Sequence, residues 1–209
     1  MRAVTVDVLL ETGRRKVFAS AVGWPGWSRS GKNEEAALAV LEDYLDRYAP
    51  VVTHAGLRVP QRTAFKVVER LKGGGATDFG IPGAVAEADA RPWSVKEATR
   101  QADIMVAAWA YLEDVIARAS ATLRKGPRGG GRDRDQIDAH VAESEIGYAR
   151  ALGIKAPDSS ATRVALERAV RSSRGGPAQR EKGWPMAYAV RRIVWHVLDH
   201  AWEIQDKSA

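Results

Sequence analysis

Hydrophobic and polar positions fall into two regimes along the chain. Residues 4–10 are rich in β-branched and apolar types, polar residues 12–15 mark a turn, and residues 16–22 resume a strand-like composition. This predicts a β-hairpin. After Trp24-Pro25-Gly26-Trp27, apolar residues recur at Ala37, Leu38, Leu41 and Leu45 behind the N-cap candidate Asn33. That spacing predicts a helix over 34–48. Residues 64–71 read as a further strand closed by Gly73, Gly74 and Gly75. Residues 76–91 hold Gly, Pro and small residues without periodicity, the composition of a linker.

From Ser94 onward the period lengthens. Ser94 and Glu97 fit a capping box, and Met105, Ala108, Trp109, Leu112 and Ile116 follow at spacings of three and four, predicting a helix over 95–123. Ile137, Val141, Tyr148 and Leu152 predict a second helix over 133–152, stopped by Gly153. A third starts after Ser159 or Ser160 and runs to about 172. The fourth begins near Pro185, a residue suited to a first helical turn, and ends near Asp206. The fold class expected is α+β. A small α/β domain of hairpin plus helix (1–88) is followed by an all-α four-helix bundle (92–209), an architecture that places metal sites between facing helices.

The chain has 209 residues, 45% of them hydrophobic and 28% charged, enough for two folded domains of ordinary composition. It lacks any run of 18 apolar residues, and its first ten residues do not follow the order of a signal peptide, so no membrane is implied and the cytoplasm is the expected location. It contains no cysteine. Disulfides, thiolate ligands and a thiol nucleophile are thereby excluded, and any sulfur chemistry must come from a substrate.

The net charge of +6 is concentrated rather than spread. Segments 124–134 and 171–182 together carry nine cations and two anions, so the remainder is close to neutral. Both segments are rich in Gly and Pro and lie between helices, which suits solvated loops or a clamp for an anionic substrate better than a rigid nucleic-acid surface.

Two of the four histidines form His196-Val197-Leu198-Asp199-His200 in the last helix. An i, i+4 pair projects from one face and can share an ion. Both lie at the edge of the apolar stripe Val190, Ile193, Val197 and Ile204, and His140 takes the same edge of the second bundle helix. Three imidazoles from two helices describe a metal site with open positions, as in catalytic centres. Any one of them alone would read as a hydrogen-bonded core residue. His54, isolated in a loop, is not counted. Glu143, Asp199 and Glu203 lie close enough to orient a ligand imidazole or to act as a base, and spacing does not choose among them. Arg192, one turn before His196, is the candidate to hold a substrate carboxylate, against the plainer reading of a solvated or salt-bridged side chain. Trp195 and Trp202 point away from the histidine edge, which predicts that a second face of the helix packs on the amino-terminal half or on a second subunit of a homodimer.

With His140 in the second helix and WHVLDHAWEIQD in the fourth, residues 92–206 resemble the DinB/YfiT-like superfamily. The resemblance implies a four-helix bundle and a divalent cation, zinc or nickel, on His140, His196 and His200. It also implies an enzyme using a low-molecular-weight thiol such as mycothiol, as transferase or isomerase, or a hydrolase of small molecules. The segment WPGWSRSGKNEEAALAVLEDYL with its preceding strands is similar to the HicB-type antitoxin fold over residues 3–50. That similarity opens an alternative: a non-catalytic regulatory protein in which the amino-terminal half binds a partner and the bundle senses or stores metal. No helix-turn-helix or ribbon-helix-helix segment accompanies it, and nucleic acid is not an expected partner.

Overall fold

The computed structural model describes residues 4–60, 63–126 and 130–208. The hairpin forms as expected from β1 (Val4–Thr12) and β2 (Val17–Ala21), antiparallel with Val8 opposite Ala21 and Thr12 opposite Val17. Two further strands complete a mixed sheet. The short β3 (Ser28–Gly31) pairs antiparallel with β2, and β4 (Thr63–Lys72) pairs parallel with β1 across a bulge at Val8/Leu9, giving the order β3-β2-β1-β4. Because a parallel pair needs a crossover, the helical segment between β3 and β4 lies over the sheet.

That segment is split where one helix over 34–48 was expected. α1 (Glu34–Asp43) is capped by Asn33, whose Oδ1 accepts from Ala36 N at 2.8 Å; it ends at Tyr44, and α2 (Leu45–His54) follows directly. The break sets Tyr44 edge-on to Trp202 at 5.2 Å and lays Tyr48 flat on Trp27 at 5.8 Å. Trp27 is fully buried and donates from Nε1 to Leu41 O at 2.7 Å, while Tyr48 Oη donates to Pro25 O at 2.8 Å.

In the helical half, α4 (Val95–Arg118) is capped by Ser94, as expected, but ends five residues short of the expected stop at 123. α5 (Arg134–Ala151) starts after Asp133, whose amide donates to Gln136 Oε1 at 2.9 Å. α6 (Ser159–Ser172) is capped by Asp158 rather than by a serine, its Oδ1 accepting from Ala161 N at 2.8 Å. α7 (Met186–Ser208) follows Pro185. It packs on α4 and α5, and α6 lies against α4 and α5. The buried carboxylate of Glu145 ties three of these helices together, accepting from Trp109 Nε1 of α4 at 2.7 Å and from Arg163 Nε of α6 at 2.8 Å.

One hydrophobic core runs through sheet and helices, from Val6, Val8 and Leu10 to Leu112, Ile193 and Leu198. Burying a Leu or Val side chain stabilises by about 1.5–3 kcal/mol, so this shared interior is the main force joining the halves. The two halves approach closely at Gly26, which takes φ +88 in the turn before β3. A Cβ there would lie 2.7 Å from both Val194 Cγ1 and Leu198 Cδ1 of α7, so only glycine lets the turn rest on the helix.

Residues 76–91 have linker-like composition yet are bonded to both sides. They begin within a short helix, α3 (Gly75–Phe79), and end just past a 3-10 turn (Glu87–Ala90). Buried Glu11 of β1 accepts from Thr77 Oγ1 at 2.5 Å and from the amides of Gly83 and Ala84 at 3.0 Å. Glu69 of β4 accepts from the amides of Glu87 and Ala88. On the helical side, Tyr188 Oη donates to Gly83 O at 2.8 Å, and Arg191 meets Asp89 at 2.6 Å with both side chains under one-tenth exposed. Among the described residues, no helix is long and apolar enough to cross a membrane.

Candidate metal centre

The i, i+4 pair of α7 and the single histidine of α5 converge. The ring centroids of His196 and His200 lie 4.6 Å apart, and each lies 5.1 Å from that of His140. One nitrogen from each of the three falls within 4.8 Å of the others, a set that can hold a metal ion. The local reason is geometric: four residues on α7 advance slightly more than one turn, and the packing of α5 on α7 brings His140 against the seam.

Burial governs the electrostatics. His196 is 8% exposed, and burial, assisted by the neighbouring His200 and His140 rings, pushes its pKa down to about 3. His140 is also pushed below the ordinary imidazole value, by burial first and then by the nearby charges of Arg132 and His200. Both are therefore neutral at pH 7, the form in which an imidazole nitrogen offers a lone pair. The Nδ1 atom of His196 is buried without a hydrogen-bond partner. An unmet buried polar atom costs about 1–3 kcal/mol, and a cation or an ordered water at the histidine cluster would relieve it. The donor set thus fits a divalent ion of intermediate softness such as zinc.

The three candidate carboxylates occupy different surroundings. Glu203 engages one of the three histidines: its Oε2 lies 2.7 Å from Nδ1 of His200, and Lys207 Nζ bonds its other oxygen. These contacts, the His200 bond foremost, hold the Glu203 carboxyl down to about 2. With its proton on Nδ1, His200 donates to that carboxylate and turns Nε2 free for a ligand, the arrangement that orients many metal-bound imidazoles. Asp199 is instead taken by Arg29 of β3, two guanidinium nitrogens reaching Oδ1 at 2.7 and 3.0 Å. Burial nevertheless raises its carboxyl above the usual range. Glu143 is exposed and acts on His140 only as a nearby charge. His54, excluded on sequence as a loop or surface residue, is exposed at the last position of α2 rather than in a loop, and is not part of the cluster.

The opposite face of α7 packs on the amino-terminal half, one of the two options its tryptophans left open. Trp195 meets Phe18 of β2 edge-on at 6.2 Å, and Trp202 packs on Tyr44 under the Arg29 guanidinium at 4.5 Å. Arg192, in contrast to a solvated or salt-bridged side chain, is 7% exposed and has no carboxylate partner among the described residues.

Neither Tyr148 nor Trp184 was named as a site residue on sequence. Tyr148 packs edge-on against His196 at 5.7 Å and lies 5.5 Å from Trp184, whose ring meets Tyr188 at 4.9 Å. Tyr148 lies on α5 about two turns after His140, so its place in the inward stripe was the one available signal. Trp184 sits in a loop and offers none. It lines a cavity of about 280 Å³ with Arg174, Arg180 and Gly183, while a larger one of about 700 Å³ lies elsewhere, at Pro50, Tyr111, Arg118 and Gln205. Of the cations in the basic segments, Lys125 pairs with Asp133, Arg134 with Asp135, and Arg171 with Asp103 and Glu167, which draws charge away from any external phosphate. Set against known family models, curated proteins and solved structures, the chain matches none.

Proposed function

We propose that the protein is a metal-dependent enzyme of the DinB/YfiT-like type, in which α4–α7 form a four-helix bundle and His140, His196 and His200 hold a zinc or nickel ion. The observation that carries this reading is the convergence of three imidazoles from two helices within 4.8 Å. A closed structural site would have a fourth protein ligand, and among the described residues no cysteine or carboxylate joins the three. Open coordination positions are what a reacting substrate needs.

When bound, the ion supplies Lewis acidity that lowers the pKa of a coordinated thiol or water. The chain's own residues do the rest. Glu203 fixes the His200 ring through Nδ1, and Lys207 holds Glu203 in place. Asp199, locked to Arg29, anchors the helix carrying the histidines to the sheet. The Tyr148 ring packs edge-on against His196, which is itself 8% exposed. Since the chain has no cysteine, the nucleophile in this reading is a low-molecular-weight thiol or water, and the substrate a small electrophile.

The test is conjugation of a small thiol to 1-chloro-2,4-dinitrobenzene by zinc-loaded protein, compared with His196→Ala at equal concentration. Thiol-dependent turnover lost in the variant is the expected result. Equal rates in both would end the thiol-transferase form of the reading.

A further inference from the structure

Arg192 stands one helical turn before His196 on the same face of α7, and its surroundings differ from those of a structural arginine. The residue is 7% exposed. Its Nη1 lies 3.4 Å from Pro82 O and its Nη2 3.5 Å from Tyr148 Oη, both at the outer limit of hydrogen bonding. Nε is buried with no partner at all. The guanidinium lies 5.0 Å from the Trp195 ring and 5.7 Å from the Tyr148 ring, contacts that accept a cation without neutralising it. Arg191 next to it is equally buried but has Asp89 at 2.6 Å.

A guanidinium removed from water without an anion is costly, and apolar side chains of similar volume would fill the space at lower cost. Trp195 and Tyr148 already line that space with apolar surface. What only an arginine adds is a planar fork of donors matched to a carboxylate. Tyr148 touches both groups: its ring packs on His196 at 5.7 Å while its hydroxyl faces Arg192. A ligand spanning from the histidines toward Arg192 would thus run along Tyr148, one turn of α7 in length, roughly 5 Å.

We infer that Arg192, with the Tyr148 hydroxyl, binds the carboxylate of the ligand whose other end reaches the histidine centre, so that the substrates are small carboxylic acids. A single guanidinium with one hydroxyl balances a monoanionic planar group better than a dianionic phosphate. The inference rests on the metal reading above, and its test separates the two.

Protein loaded with cobalt(II) is titrated with 3-mercaptopropionate and with its uncharged counterpart 3-mercaptopropan-1-ol, reading the thiolate-to-cobalt charge-transfer band. The wild type should bind the carboxylate probe about ten-fold or more tighter, the effect of one charge-assisted pair. Arg192→Met should bind as much cobalt and show no preference between the probes, and Arg192→Lys should recover part of it. Equal affinities in the wild type, or a preference that persists in Arg192→Met, would overturn the carboxylate assignment while leaving the metal centre intact. Failure of wild type and variant alike to take up cobalt would overturn both.

Discussion

Arg191 and Arg192 are adjacent, each 7% exposed, and serve the molecule in different ways. Arg191 places two bonds on Asp89 and a third on Ala84 O, closing the segment between sheet and helices onto α7. Arg192 finds among the described residues only two marginal acceptors, Pro82 O and Tyr148 Oη. Burial alone does not distinguish a structural charge from a functional one; the presence of a neutralising partner does. The same contrast separates Asp199 and Glu203 of this helix, since Asp199 is held by Arg29 across the sheet interface whereas Glu203 bonds the His200 imidazole.

Removing one member of the satisfied pair should have the largest effect. Asp89→Ala leaves Arg191 buried and uncompensated and should cost about 3–5 kcal/mol in urea unfolding, with the m-value unchanged. An effect as small as that of a surface substitution would erase the distinction between the two arginines.

Acid provides the next largest effect, in metal-free protein. Between the ordinary imidazole pKa of 6.5 and the folded value of about 3 for His196, the unfolded chain takes up a proton that the folded chain refuses, so stability falls as pH drops through this window. Glu203 adds to the loss below its ordinary 4.5, since its folded value of about 2 means that the unfolded chain protonates first. Thermal melts should therefore decline from pH 6.5 downward and more steeply below 4.5, and His196→Ala should flatten the upper part. An unchanged profile in that variant would mean that His196 is not the buried neutral group described.

Glu203→Gln should leave the fold intact and weaken zinc binding by about 10–100-fold, read by competition with a chromophoric chelator. Undiminished affinity would reduce Glu203 to a surface partner of Lys207. The smallest effect is expected of Arg192→Met, which should shift the unfolding free energy by no more than about 1 kcal/mol and in the stabilising direction if at all. A loss comparable to that of Asp89→Ala would place Arg192 with Arg191 among the structural charges.

Much of this was legible from local pattern. The hairpin, the stripes of α4 and α5, the caps at Asn33 and Ser94 and the start of α7 after Pro185 all depend on residues within a turn or two of one another. So does the His196/His200 pair, and His140 could be added because its helix repeats the same edge. What escaped depends on distant partners. The polar segment Ser28–Gly31 is a strand only because β2 offers it a ladder, and the parallel pairing of β4 with β1 has no local signature. The linker-like composition of residues 76–91 hides the buried anions Glu11 and Asp89 that fasten it. Asp199 sits beside His200 in sequence, yet its partner Arg29 lies 170 residues away. The burial of Arg192 is of the same kind: a charge near a polar strip reads as solvated until Pro82, Tyr148 and Trp195 close around it.

The central claim is that three histidines hold one ion, and the most direct measurement is elemental analysis of untagged protein after zinc reconstitution and dialysis, beside a His140→Ala/His200→Ala variant of confirmed fold. One zinc per wild-type chain and none in the variant is the predicted result. A wild type that retains no metal, or a variant that retains as much, would contradict the account and leave the three imidazoles as packed core residues.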